Sequence, residues 1–440
     1  MSEKMMSRRR FLKGASLALT GAALAACVPA QPGAQQSGQA AAGGSKEPIT
    51  LTFHSRLGSH ADWHKSRVAL FEEQNPGLKL KIDELPADQM INKLYTLAAG
   101  GNLGDNCWTY LNTTLEHVKK KVAAPLDDLI AAANFDKKPF WPAIIQVLTI
   151  DGKQYALPNH GHFGTVAFYY NPDLWAAAGA KEPNPDWTVE DLAEGAKKIT
   201  KSPDTWGFRA TGGGDEHIPY YLRTFGGDML SADGKKAMFT DEKSLQGLKW
   251  MFSLLEDKAD PCICGDQQRE NFVAGKVGAF NTTTGLVAEF SKVKDWKFKW
   301  GVTVAPKGPG GVRGTQVSGG AFCVTPNSKN PTEAFKVLQF FSTKEDGIQH
   351  VLGGAGSPGT RDDVWQSDEL NKFSPIFREI LAAYPQGAVP WYYPANGRTS
   401  EFAQVRDNNL QAIWTKKVGF DEGVDQLQKL CQEVLDKEPL

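Results

Sequence analysis

Basic charge is not in surplus. The 440 residues carry 49 Lys and Arg against 50 Asp and Glu, with 8 His, for a formal net charge of −1 at pH 7. A chain that neutralises phosphates needs a basic face, so nothing here points to nucleic acid or an anionic surface as partner. Cysteine is scarce, at six residues, and no two are spaced as a zinc-type CxxC pair. A cysteine-built zinc site is thereby disfavoured, while one or two long-range disulfides and buried free thiols stay equally open for Cys107, Cys262, Cys264, Cys323 and Cys431. No apolar run reaches the roughly 20 residues that span a bilayer. Heptads and short repeats are missing too. So are HExxH, the GxSxG elbow and a Gly-rich loop ending in Lys-Ser or Lys-Thr, which removes the commonest hydrolase and nucleotide signatures. What is present is an ordinary 41% of hydrophobic residues, enough for a packed core.

The first 27 residues read as an address. Ser7-Arg8-Arg9-Arg10-Phe11-Leu12-Lys13 resembles the twin-arginine export signal at each position. A short apolar stretch, Gly14–Ala26, follows, as in a signal peptide. Leu24-Ala25-Ala26-Cys27 resembles a lipobox, in which Cys27 would receive lipid. Val28–Lys46 has almost no large apolar side chains and is expected to be a flexible tether. The division is therefore 1–26 signal peptide, 27–47 lipidated Cys and tether, then a soluble body. Removal of 1–26 takes five basic and one acidic residue and leaves a charge of −5. The length of the remainder suits two or three domains. Twin-arginine export carries folded cargo, sometimes with a cofactor aboard, so a redox or metal enzyme and a simple binding protein both fit the address.

Along the body, Ile49–Ser55 has strand propensity, Asp62–Gln74 a helical spacing, and Leu78–Leu85 strand alternation. Asp88–Ala99 is amphipathic and Asn106–Asn112 strand-like. Strand, helix, strand, helix, strand predicts a parallel α/β sheet. Further on, Val166–Asn171, Trp300–Ala305 and Ala321–Thr325 read as strands. Thr188–Thr200 reads as a helix opened by a capping box of Thr188 and Asp191. Pro331–Ser342 reads as a helix with Pro in its first turn.

Several clusters could carry chemistry. Gly354–Gly359 matches GxGxxG by letters, but it follows a helix and Pro358 interrupts it. Asp215-Glu216 suggests a glycosidase, yet two adjacent carboxylates do not face each other across a sugar. His60 and His64 at i, i+4, with His160 and His162 as HxH, could bind a metal. The plainer reading puts His60 in the loop before the helix, with all of them surface or pocket side chains. Trp391-Tyr392-Tyr393 lies between Pro390 and Pro394 in an aperiodic segment. Rigid aromatics in a loop suit stacking on the apolar faces of sugars. Trp108, Tyr110 and Asn112 at a strand end have the same mixed character.

The body resembles the family 1 extracellular solute-binding proteins of ATP-binding-cassette (ABC) sugar importers, the maltose-binding-protein-like group. Gly152-Lys153-Gln154-Tyr155-Ala156-Leu157-Pro158 and Phe168-Tyr169-Tyr170-Asn171-Pro172-Asp173-Leu174-Trp175 are similar to its G-K-x-Y-x-x-P and Y-Y-N-K-D-L-F stretches. Phe272-Val273-Ala274-Gly275-Lys276-Val277-Gly278-Ala279 resembles F-x-x-G-K-x-A-M. Gly301–Pro306 and Asn327–Ala334 continue the collinear match. Asn281–Gly285 has no Trp, where the family often carries an aromatic. The resemblance implies an α/β, two-lobed periplasmic-binding-protein-like fold of type II with a hinge and an interlobe cleft. Lobe 1 would hold 48–159 plus 317–354, and lobe 2 160–316 plus 357–440. It implies a sugar, polyol or sugar phosphate as ligand, an ABC permease as partner, a monomer outside the cytoplasm, and no cofactor, metal or catalysis. The site residues expected from lobe 1 are His54, Arg56, Trp108, Tyr110 and Asn112. From the crossover and lobe 2 come His160, His162, Asp215, His217, Thr283 and Thr284. Ser318 and Gly319 lie at the second crossover, Arg361 follows it, and Trp391 and Tyr392 would stack. A metal-binding receptor and a lipid-anchored carbohydrate-active enzyme are the rival readings.

Overall fold

Two sheets carry the architecture of a computed structural model that describes residues 47–201, 203–210, 214–260, 268–385 and 387–440, apart from the side chains of 214–216. The expected export signal, Cys27 and expected tether, all within 1–46, and Cys262 and Cys264 lie outside the described residues. Glu47–Leu440 fold as one unit. Among the described residues no helix is long and apolar enough to cross a membrane.

The strands are β1 (Ile49–Arg56), β2 (Leu78–Leu85), β3 (Asn106–Tyr110), a small hairpin of β4 (Thr149–Ile150) and β5 (Lys153–Gln154), β6 (Leu157–His162), β7 (Ala167–Tyr170), β8 (Ala279–Thr282), β9 (Gly301–Val304) and β10 (Ser318–Val324). The first sheet has the order β2-β1-β3-β10-β6. β1 pairs in parallel with β2 and β3, from Ile49 opposite Leu78 to Arg56 opposite Leu85. The predicted parallel β-α-β-α-β unit is therefore present. Leu51 and Phe53 are fully buried, and burial of such side chains contributes about 1.5–3 kcal/mol each. β10 enters from the far end of the chain and runs antiparallel between β3 and β6. The second sheet, β8-β7-β9, is wholly antiparallel. Buried Phe168 and Tyr169 of β7 pack on Trp187, Phe208, Phe280 and Phe290.

Direction of the strands decides where a site can form. β1 and β3 finish at one edge of the first sheet with Arg56 and Tyr110. β6 finishes there with His162, because Ser318 at the start of antiparallel β10 stands opposite it. Chain ends of open α/β sheets leave backbone groups and side chains free for a ligand at such an edge.

The chain passes between the sheets in two short stretches, 163–166 and 305–317. Backbone bonds tie them: Ala305 N–H donates to Val166 O at 2.8 Å and Val317 N–H to Val389 O at 2.7 Å. Arg223 clamps the same region, donating to Asp228, Thr315 O and Pro390 O. Cys107 and Cys323 sit opposite each other across β3 and β10 as buried free thiols, and Cys431 is likewise buried and free.

Candidate binding cleft

A cavity of about 700 Å³ lies between the two sheets. Its first-sheet wall is the strand-end edge described above, with Arg56 from β1, Trp108 and Tyr110 from β3, His160 and His162 from β6, and Gly319 from β10. The opposite wall is Thr282 of β8 with Thr283 and the helix that follows, and His217 from the Gly214–Thr224 helix. The Trp108 ring can lie here only because β10 carries glycine at 320, opposite Tyr110. A Cβ at Gly320 would come within 2.4 Å of the indole, and one at Gly319, whose φ is +118°, within 2.1 Å of His160 O. Trp108 meets Tyr110 edge to face at 4.6 Å and His60 at 5.1 Å between ring centroids.

His60 is the second residue of the Ser59–Gln74 helix, not part of the preceding loop. Its ring stands 5.0 Å from that of His160, which stacks on His350 at 3.8 Å. His350 comes from the Lys344–Leu352 helix. One nitrogen from each of these three residues lies within 4.8 Å of the other two. His64, a turn beyond His60, closes the group below, with Nε2 3.3 Å from His160 Nε2 and Nδ1 2.8 Å from Ser55 Oγ. Burial, together with neighbouring His350, Arg56 and His162, pushes His60 down to about 3. Burial alone carries His350 down to about 4. His64 and His160 are held well below the usual histidine range by burial and by one another's neighbours. All four imidazoles are therefore neutral at pH 7 and offer lone pairs.

Of the residues expected from sequence, Arg56, Trp108, Tyr110, His160, His162, His217, Thr283 and Gly319 line this cavity. Others stand apart from its lining. His54 is buried two residues before Arg56; its Nδ1 meets Asp83 at 2.7 Å and its Nε2 accepts from Gly104 N–H at 2.8 Å. That pairing fixes the β1–β2 edge. Asn112 is buried in the Leu111–Thr113 turn, Ser318 is buried in β10, and Thr284 precedes the Gly285–Phe290 helix. Arg361 is held by Asp363 and packs over Phe140. Trp391 and Tyr392 line a separate cavity of about 330 Å³, with Lys119 and Asp151, and Tyr392 lies under the Arg223 guanidinium. Asp215 stands in the first turn of the Gly214–Thr224 helix, and its side chain lies outside the described residues.

Sequence reasoning missed Arg269, which pairs with Glu289 on the second-sheet side. Nothing in its local sequence separates it from a surface helix residue. It also missed His350. The Gly354–Gly359 run, which matches GxGxxG by letters, supplies Gly354–Ser357 to the cavity wall.

A family model described as bacterial extracellular solute-binding protein matches residues 66–374. A binding protein of Brucella abortus (strain 2308) is 31% identical over 354 residues, covering 79% of this chain and 83% of that relative. Among solved structures, an ABC substrate-binding protein from Listeria monocytogenes in complex with cycloalternan superposes with a TM-score of 0.78 at 20% identity, covering 88% of this chain and 99% of that one. A maltose-bound protein of T. maritima gives 0.76 at 22%, covering 88% and 100%. These likenesses establish the two-lobed α/β fold.

Proposed function

Because the chain belongs to the bacterial extracellular solute-binding proteins, we propose that its cleft captures a sugar or polyol outside the cytoplasm and delivers it to an ABC permease. The observation that carries this reading is the wall itself. Tyr110 and Trp108 offer rings for the apolar faces of a sugar, and buried Arg56 Nε and Trp108 Nε1 have no hydrogen-bond partner. Buried donors without partners are costly, and a hydroxyl-rich ligand brings acceptors. Support from relatives is consistent: the solved proteins of like fold hold cycloalternan and maltose.

The proposed mechanism is lobe closure. The lobe bounds expected from sequence are adjusted so that β6 stays with the first sheet: lobe 1 is taken as 48–162 plus 318–354 and lobe 2 as 167–304 plus 357–440, with 163–166 and 305–317 as connectors. A ligand that touches Arg56 and Tyr110 on one wall and Thr283 and His217 on the other gains its full contacts only when the walls approach. It therefore shifts the population toward the closed form. The permease would read that form, and no covalent step is involved. Lipid on Cys27 would keep the monomeric receptor beside its permease.

Calorimetric titration of the full chain with mono- and oligosaccharides, polyols and sugar phosphates tests this. Tyr110→Ala is expected to weaken the binding of the carbohydrate that binds by about 1–3 kcal/mol, the scale for a buried aromatic anchor. An unchanged affinity would remove Tyr110 from the site.

A further inference from the structure

The three-histidine cluster has a use that solute capture does not require. We propose that His60, His160 and His350 hold one first-row divalent cation of the zinc or nickel class at the wall of the cleft, with an open coordination position toward the cavity.

The hydrogen bonds around the cluster leave the needed lone pairs. His350 Nδ1 lies 2.8 Å from the Ser357 carbonyl. A carbonyl only accepts, so Nδ1 carries the proton and Nε2 keeps its lone pair. That Nε2 is buried and has no partner. His60 Nδ1 is likewise buried without a partner. Of the two donor directions that the Ser55–His64–His160 contacts allow, the one in which His64 Nδ1–H donates to Ser55 Oγ and His160 Nε2–H donates to His64 Nε2 is the metal-competent one. His160 Nδ1 is then free to ligate. Second groups that fix a metal-binding imidazole through its other nitrogen, as Ser357 O and His64 do here, are the usual support of such sites.

Imidazole suits zinc, copper and nickel rather than magnesium or calcium. Three protein ligands with a vacant fourth position is the open arrangement of zinc chemistry. Zinc–nitrogen bonds of about 2.0–2.1 Å place ligand atoms about 3.3 Å apart in a tetrahedron, so the present separations within 4.8 Å close by rotation of the rings. The vacancy faces the cavity because His60 and His160 line it. Around the cluster, Arg56 and His162 bear on His60, and Asp346 lies one turn before His350. The Arg56 guanidinium favours an oxygen donor with negative charge, water-derived or from a solute, at the open position. A folded, metal-loaded cargo also suits the expected twin-arginine address.

The test uses the full chain without a polyhistidine tag, stripped with chelator and titrated with Zn²⁺, Ni²⁺ and Co²⁺ at pH 7.5. One equivalent is expected to bind, raise the unfolding midpoint and, for Co²⁺, give the strong visible absorption of a four-coordinate ion. His60→Gln, the least buried change of the three, and His350→Gln are expected to lower affinity about ten-fold or more. His117→Gln, at a buried histidine elsewhere in the molecule, should leave it unchanged. Absence of stoichiometric binding to the unmutated chain would overturn the proposal. So would binding that His60→Gln and His350→Gln both leave intact.

Discussion

His350 shows how burial sets chemistry at the scale of one residue. Its ring is packed between His160 and Trp63, and burial carries its pKa down to about 4. The unfolded chain takes up that proton near 6.5. Between about 4 and 6.5 the unfolded state therefore binds more protons, and stability falls as pH falls. The contribution is fully present above 6.5 and lost toward 4. Asp346, pushed up to about 7 by burial, works in the opposite sense over the same range, so the difference between variants is the cleaner quantity. His350→Gln is expected to reduce the slope of unfolding free energy against pH by up to about 1.4 kcal/mol per unit between pH 4.5 and 6, measured by urea titration. Trp391→Ala separates packing from binding. Trp391 is 7% exposed and outside the main cavity, so its truncation should lower stability by about 3–5 kcal/mol and leave ligand affinity unchanged. Sequence pointed to Trp391 because two prolines frame it, but its ring lines the smaller cavity with Lys119 and Asp151 rather than the main one. His350 was illegible for the opposite reason: it sits in an ordinary amphipathic helix, and only the crossing of that helix with β6 brings it to His160.

Elements were more legible than their long-range partners. Thr188 and Asp191 form the capping box read from sequence: Thr188 Oγ1 accepts from Asp191 N–H at 3.3 Å and Asp191 Oδ2 from Thr188 N–H at 2.9 Å. Thr188→Ala should lower stability by about 0.5–2 kcal/mol with no change in ligand affinity, as thermal unfolding and calorimetry together would show. Pro331 opens its helix as expected. The parallel β1, β2 and β3 follow from local periodicity and short connections. The insertion of β10 between β3 and β6 does not, because its partners lie more than 150 residues away in sequence. The antiparallel second sheet was equally hidden: β7, β8 and β9 are four-residue strands, the first two buried throughout or nearly so and β9 over its second half, and such runs carry no alternation to give direction.

The whole molecule places one edge of the first sheet against the end of β8 and its following helix, and the cavity is the consequence. Strand direction and two glycines shape it, while residues from at least six separate stretches of chain line it. Half of the residues singled out from sequence meet there, chiefly those at strand ends, where position along an element already implies an outlet. The central claim is that this cavity binds carbohydrate. Thermal unfolding of the full chain against a panel of sugars, polyols and sugar phosphates, for the unmutated protein and Arg56→Ala, tests it most directly. One carbohydrate class at about 100 times its dissociation constant should add about 2.7 kcal/mol to the unmutated protein and little to Arg56→Ala at the same concentration. No shift with any carbohydrate, or an equal shift in both proteins, would contradict the account.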